Sequence, residues 1–175
     1  MNEIIKAMEE RRSCRKFKSE RVSKNDIEEI IQAGLYAASG KGLQATKIIA
    51  VTNKDVRNQI AEENRKIGDW QEGFDPFYGA PVILIVLAQA DVGTGIYDGS
   101  LVMGNLMLAA HSKGLASIWI HRAKQEFDSD FGKNLLKKLG IEGEWQGIGH
   151  CALGYAAEPL PPAAPRKTDR VYFIE

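Results

Sequence analysis

A chain of 175 residues is long enough to bury one substantial core, and 44% hydrophobic with 26% charged residues is ordinary globular composition. Acidic and basic residues balance at 23 each, which argues against a general polyanion binder and so against a nucleic-acid partner. No apolar run approaches a membrane span, none near Glu3, Glu9 and Glu10 reads as a leader, and Cys14 and Cys151 form no C-x-x-C pair; the expectation is a single domain over residues 1–175, cytoplasmic, with free thiols and no membrane partner.

Apolar and charged residues at helical spacing predict a first helix over residues 2–12. It runs into Arg11-Arg12-Ser13-Cys14-Arg15-Lys16-Phe17-Lys18, where five basic side chains fall within eight residues of a chain with zero net charge. Guanidinium forks suit a phosphate bidentately, and a serine hydroxyl beside them adds a donor. The plainer alternative is that these charges complement the helix dipole and face water. Ser23 followed by Asp26 marks an N-cap, and Ile27, Ile30, Ile31, Gly34 and Leu35 continue a helix to about Ala38. Residues 39–44 (Ser-Gly-Lys-Gly-Leu-Gln) are too polar and glycine-rich to extend it. They form either a loop that lets backbone approach a ligand or a simple connection.

Residues 48–51 read as a buried strand, 54–66 as a charged helix, and 70–79 as an irregular aromatic loop that either lids a pocket or covers the core edge. Residues 81–87 are the most apolar strand, with Pro81 at the tolerated first position. Residues 98–113 are apolar around the whole circumference. They predict a helix buried on all sides, with a sheet on one flank and a second copy of the chain on the other. Gly114 caps it, and a strand over 116–120 ends at His121-Arg122. Residues 124–139 predict one amphipathic helix closed by Gly140, and 146–155 a glycine-spaced strand. An extended proline-rich arm over 159–165 and a last strand over 171–174 suit a segment reaching across to a partner. Arg166-Lys167 repeats the chemistry of the N-terminal cluster, as a second jaw on the same anion. Strands alternating with helices predict an α/β or α+β layer fold around a central sheet.

Neither G-x-G-x-x-G after a strand, nor G-x-x-x-x-G-K-[ST], nor G-x-S-x-G is present. His111, His121, His150 and Cys151 lack a metal-ligand spacing, so no metal site is expected. Trp70, Trp119 and Trp145 read as core or interface aromatics. Without a nucleophile or acid–base set, a phosphate clamp with glycine-rich loops points to a bound cofactor that carries the reaction.

Arg11 to Phe17 resembles the R-R-S-x-R-x-F start of the FMN-dependent nitroreductase family, and residues 37–44 resemble its A-P-S-x-x-N-x-Q loop. Residues 98–114 are similar to its long dimer helix, Gly114 to Ile120 to its G-L-x-S-x-W-I strand, and Pro165-Arg166-Lys167 to its closing motif. The resemblance implies an α+β sandwich with a central, mainly antiparallel sheet flanked by helices. It also implies an intertwined homodimer whose two FMN sites are each built from both subunits. Arg11, Ser13 and Arg15, with Arg12 close by, would contact the FMN phosphate or ring, and Arg166 and Lys167 would reach the phosphate from the C-terminal arm. Ser39, Gly40, Leu43 and Gln44 of the partner would flank the isoalloxazine. Ile120, His121 and Arg122 would bring backbone groups to flavin N5, with no side chain carrying the chemistry. The implied activity is NADH- or NADPH-dependent reduction of a nitroaromatic, quinone or similar small acceptor in two half-reactions. Deiodination, azoline oxidation, or electron carriage without a dedicated substrate are the alternatives. The chain departs from the pattern at Ala38 (loop proline), Gly42 (loop asparagine) and Gln44-Ala45-Thr46 (Gln-Pro-Trp in relatives). It also lacks the helical insertion of larger members, which leaves Trp70 to Tyr78 as the nearest lid candidate.

Overall fold

The computed structural model describes residues 2–175. In chain order the elements are α1 (Glu3–Glu10), α2 (Lys24–Leu35), a 3-10 turn (Gly40–Gly42), β1 (Thr46–Val51), α3 (Lys54–Ile67), β2 (Val82–Gln89), α4 (Gly95–Ser112), β3 (Ala116–Ile120), α5 (Ala123–Asp128), α6 (Asp130–Lys138) and β4 (Trp145–Gly154). The four strands form one sheet in the order β1-β2-β4-β3, and every pairing is antiparallel. This is the α+β arrangement, a sheet with helices on both faces.

The seven residues from Val82 to Ala88 are all buried because β2 has a strand on each side and a helical layer on each face. Alternation sends Ile83, Ile85 and Leu87 into one core with Phe77, Ile118, Ile120, Phe127 and Leu136. Leu84 and Val86 enter the other, with Ile30, Val102, Met103, Leu106 and Leu153. Each fully buried Leu or Ile contributes about 1.5–3 kcal/mol. The predicted cap of α2 is present: Ser23 Oγ accepts from the Asp26 N–H at 3.0 Å. Beside Val86 and Leu87 the β2–β4 register shifts, with Gly149 opposite Val86 and Gly147 opposite Leu87. A Cβ on Gly147 would lie 2.1 Å from the Ala123 carbonyl oxygen. The glycine spacing of β4 is what lets α5 press against the strand.

The structure corrects several expectations. Residues 124–139 are two helices, because Ser129 adopts extended backbone (φ -81°, ψ 165°) and caps α6 by accepting from the Gly132 N–H. Residues 171–174 form no strand: they are fully or largely exposed and have no neighbouring strand in the chain to pair with. α1 stops at Glu10 because the following residues leave helical backbone to lie against β3, and α2 stops at Leu35. α4 begins three residues early, at Gly95. Val102, Met103, Leu106 and Ala110 are buried while Ile96, Tyr97 and Leu101 are exposed. Among the described residues no helix is long and apolar enough to cross a membrane.

Candidate functional site

The basic cluster is held by a backbone seam. After α1 the chain crosses the free edge of β3, where Ser13 bridges Ser117 and the Cys14 N–H donates to the Ser117 carbonyl at 3.1 Å. Cys14 and Phe17 turn into the core, which leaves Arg15 and Lys16 facing outward. Burial pushes the Cys151 thiol up to about 12, with Arg11 pulling against it. The exit of β4 joins the same seam: Lys18 N–H donates to Tyr155 and Ala157 N–H to Lys16. That pairing aims the proline arm back across the arginines.

Pro161, Ala164 and Arg166 therefore form the second wall of a cavity of about 280 Å³ whose first wall is Arg11, Arg12, Ser13 and Arg15. Of the two basic clusters, Arg166 reaches the cavity and Lys167 does not line it. Arg11 Nη1 and Arg12 Nε are buried nitrogens with no hydrogen-bond partner. Leaving such donors unmade costs about 1–3 kcal/mol each, more for charged groups, and both arginines line this cavity. Two larger cavities lie elsewhere, one of about 610 Å³ between Phe127 and Trp145, the other of about 660 Å³ around Arg57 and Pro81. Arg57 in the latter already donates to the Ala80 carbonyl and pairs with Asp75 at 2.5 Å. Chemistry, not size, singles out the arginine cavity.

Ile120, His121 and Arg122 lie at the far end of the same strand. His121 lies four residue steps beyond Ser117, about 13 Å along extended backbone. Ile120 is buried, the His121 carbonyl accepts from Asn64 Nδ2 at 3.0 Å, and Arg122 has φ 78°. The Arg122 guanidinium lies over the Trp70 ring, 4.2 Å from its centroid. The aromatic loop divides into two parts here: Pro76 and Phe77 are buried at the core edge, while Trp70 stands beside the Arg122 corner.

Ser39, Gly40, Leu43 and Gln44 do not line the arginine cavity within one chain. They sit at the start of α4, where Gly40 N–H donates to Asp98 Oδ1 at 3.0 Å and Thr94 Oγ1 donates to Asp98 Oδ2 at 3.0 Å. Lys41 and Gln44 both take positive φ (53° and 50°), backbone that a non-glycine residue holds only at some cost. Asp98 is thus an anchor that sequence reading passed over, as were Asn64 and Glu126. Its one signal was a lone acid opening an apolar helix.

Comparison with known proteins follows the same outline. The model of the nitroreductase family matches residues 8–155. The chain is 32% identical over 129 residues to an NADPH-flavin oxidoreductase of Vibrio harveyi, a match covering 69% of this chain and 54% of that protein; the chain thus spans about half the length of that relative. A nitroreductase with bound FMN from Bacteroides fragilis NCTC 9343 has a TM-score of 0.92 at 26% identity, covering 100% of each chain. One with bound FMN from Desulfitobacterium hafniense DCB-2 has a TM-score of 0.89 at 29% identity, again covering 100% of each.

Proposed function

This chain belongs to the nitroreductase family, and from that premise we propose that it is an FMN-dependent oxidoreductase. It takes electrons from NADH or NADPH and delivers them to a small organic acceptor of the nitroaromatic or quinone kind. The observation that carries the reading is the pair of buried, unpartnered guanidinium nitrogens on Arg11 and Arg12, two residues that line one cavity with Arg15 and Arg166. A phosphate oxygen is the acceptor such donors fit best, since planar forks pair with it bidentately. FMN, when bound, supplies reversible two-electron chemistry that no side chain here offers.

The chain's own residues bind and orient. Arg11, Arg12, Ser13, Arg15 and Arg166, with Lys167 nearby in sequence, hold the phosphate end. The edge of β3 leads from there to His121 and Arg122, whose backbone donors would serve the ring end. Ser39, Gly40, Leu43 and Gln44 complete the site from the second copy of a homodimer. Supporting that assembly are the exposed Ile4, Ile5, Met8, Ile96, Tyr97 and Leu101, together with Val171 to Ile174, large apolar side chains that one chain leaves open to water. The working unit is one domain per chain, in the cytoplasm, where its two free cysteines, Cys14 and Cys151, stay reduced.

The test is direct. Flavin-free protein titrated with FMN should quench flavin fluorescence at one site per chain. Anaerobic addition of NADH or NADPH should then bleach the bound flavin, and a nitroaromatic or quinone should restore it. Absence of FMN binding would overturn the reading.

A further inference from the structure

The corner that ends β3 is built from two peptide planes whose carbonyls are both held by buried side chains. His150 Nδ1 lies 3.3 Å from the Ile120 carbonyl oxygen, and Asn64 Nδ2 donates to the His121 carbonyl at 3.0 Å. His150 and Asn64 are both 0% exposed. On its other side His150 Nε2 is 2.6 Å from Glu126 Oε2, and Glu126 is 1% exposed. A carbonyl oxygen carries no proton, so the contact at Ile120 is attractive only with a proton on Nδ1. A second proton then lies in the short contact between Nε2 and the carboxylate, and on either atom it leaves the pair neutral overall. The Phe77 ring packs on the imidazole with centroids 5.3 Å apart, which limits its rotation. Glu126 is locked in turn: its N–H donates to the Arg122 carbonyl at 3.1 Å, so the helix that follows the corner reaches back to hold it.

A peptide group is planar and trans, with N–H opposite C=O. Holding the Ile120 oxygen inward therefore sends the His121 N–H outward, and holding the His121 oxygen does the same to the Arg122 N–H. Strand alternation agrees. The Ser117 carbonyl faces the free edge of β3, where it accepts from Cys14, and with a period of two the N–H groups of Trp119 and then His121 face that edge as well; past the end of β3 the His121 carbonyl turns away, to Asn64. Among the described residues neither the His121 nor the Arg122 N–H has a protein acceptor. The His121 N–H thus stands free on the edge that leads back to the arginine cavity, and the adjacent Arg122 N–H points away from the buried Asn64.

We infer that Glu126, His150 and Asn64 are positioning residues. They fix the peptide planes at Ile120–Arg122 so that the His121 and Arg122 N–H groups face the bound cofactor. This rests on the FMN reading above. Stability is a poor account of the pair, because burying two polar, ionisable side chains costs desolvation that packed apolar residues of the same volume avoid. Orientation is a better one, since donors aimed in advance at developing charge need no rearrangement during reaction.

The experiment compares wild type with His150→Phe, Asn64→Leu and Glu126→Gln, first without flavin and then loaded. In the flavin-free protein, amide NMR of His121 and Arg122 should show shifted resonances and faster exchange in His150→Phe and Asn64→Leu. Glu126→Gln, which keeps a hydrogen bond to the ring, should fall between. In the loaded protein, FMN affinity should fall far less than in Arg15→Ala with Arg166→Ala, since the arginine cavity is untouched. The flavin midpoint potential should become more negative, and the limiting rate of reduction by NADH or NADPH should fall about tenfold to a hundredfold with little change in KM. Unmoved amides, or an unchanged potential and rate in folded Asn64→Leu and Glu126→Gln, overturn the inference. Wild type that binds no FMN overturns the functional reading instead, and the flavin-free amide comparison still decides the positioning role. If His150→Phe does not fold, the other two variants decide it.

Discussion

The Gly40 N–H donates to Asp98 Oδ1 at 3.0 Å across 58 residues of sequence. The second carboxylate oxygen accepts from Thr94, so both oxygens of a side chain only 3% exposed are used. Asp98→Ala strips the loop of its anchor and leaves the Gly40 N–H unmet, and it should cost about 1–3 kcal/mol by chemical denaturation. Asp98→Asn keeps an acceptor for Gly40 and a donor for the Thr94 hydroxyl, so it should cost less. Equal losses in the two variants would mean that the charge, not the loop anchor, is what matters.

Arg15 and Arg166 line one cavity from opposite ends of the chain. Each charge-assisted hydrogen bond to a phosphate contributes about 1.5–3 kcal/mol, and tenfold in affinity corresponds to about 1.4 kcal/mol. Arg15→Ala with Arg166→Ala should therefore weaken FMN binding about a hundredfold or more in a fluorescence titration. The remaining affinity should depend less on salt. Unchanged flavin retention would place the phosphate elsewhere.

That convergence was legible before the fold was known because the same chemistry appears twice in the sequence, near Arg11 and at Arg166. The Ser23 cap and the unbroken apolar run of β2 were legible for a similar reason: each is a local pattern with a local cause. Asn64, Asp98 and Glu126 were not. Asn64 and Glu126 lie in charged helices and Asp98 opens an apolar one, positions that read as surface, and only the packing of α3, α4 and α5 on the sheet turns these three inward. Ser129 shows the same limit from the other side. Its neighbours keep helical periodicity through the break, so pattern alone joined α5 to α6. The run from Val171 to Ile174 has strand composition, but a strand also needs a neighbour, and the chain provides none.

Lys113 joins α4 to α2 through Asp26 at 2.9 Å and Glu29 at 2.5 Å. Hydrogen bonds from Ser23 and then Lys113 hold the Asp26 carboxyl below its ordinary value, and those from Lys113 and then Asn25 do the same for Glu29. Lys113 is raised by Glu29 and then Asp26. The carboxylate contribution is therefore present above the ordinary carboxylate range and is lost as pH falls through the depressed folded values. The lysine contribution is full below its ordinary value of 10.5 and is lost as pH rises through the raised one. Lys113→Met should lower the urea midpoint slightly at neutral pH and flatten its fall below about pH 4, with Ser23 and Asn25 preserving part of the slope. An acid limb identical to wild type would remove this ion pair from the account.

Gly147 lets α5 lie directly on β4, with no room for a methyl group beside the Ala123 carbonyl. Because that contact is backbone to backbone, no side chain can swing away to relieve it. Gly147→Ala should lower stability by about 1–3 kcal/mol or more. It should also disturb the Ile120–Arg122 corner, since α5 starts at Ala123. A variant as stable as wild type would show that α5 is free to lift from the strand.

Val171, Tyr172, Phe173 and Ile174 are 71%, 83%, 85% and 102% exposed, a run of large apolar side chains that nothing within one chain covers. In the proposed homodimer the partner does so, and each such side chain on burial contributes about 1.5–3 kcal/mol. Deleting residues 171–175 should leave the unfolding transition of the folded chain recognisable while raising the dimer dissociation constant about a hundredfold or more. Sedimentation velocity across a concentration series checks this. A deletion that dimerises as tightly as the full chain would assign the tail no part in assembly. A full chain that stays monomeric at every concentration would remove the shared-site arrangement, and with it the role given to Ser39, Gly40, Leu43 and Gln44.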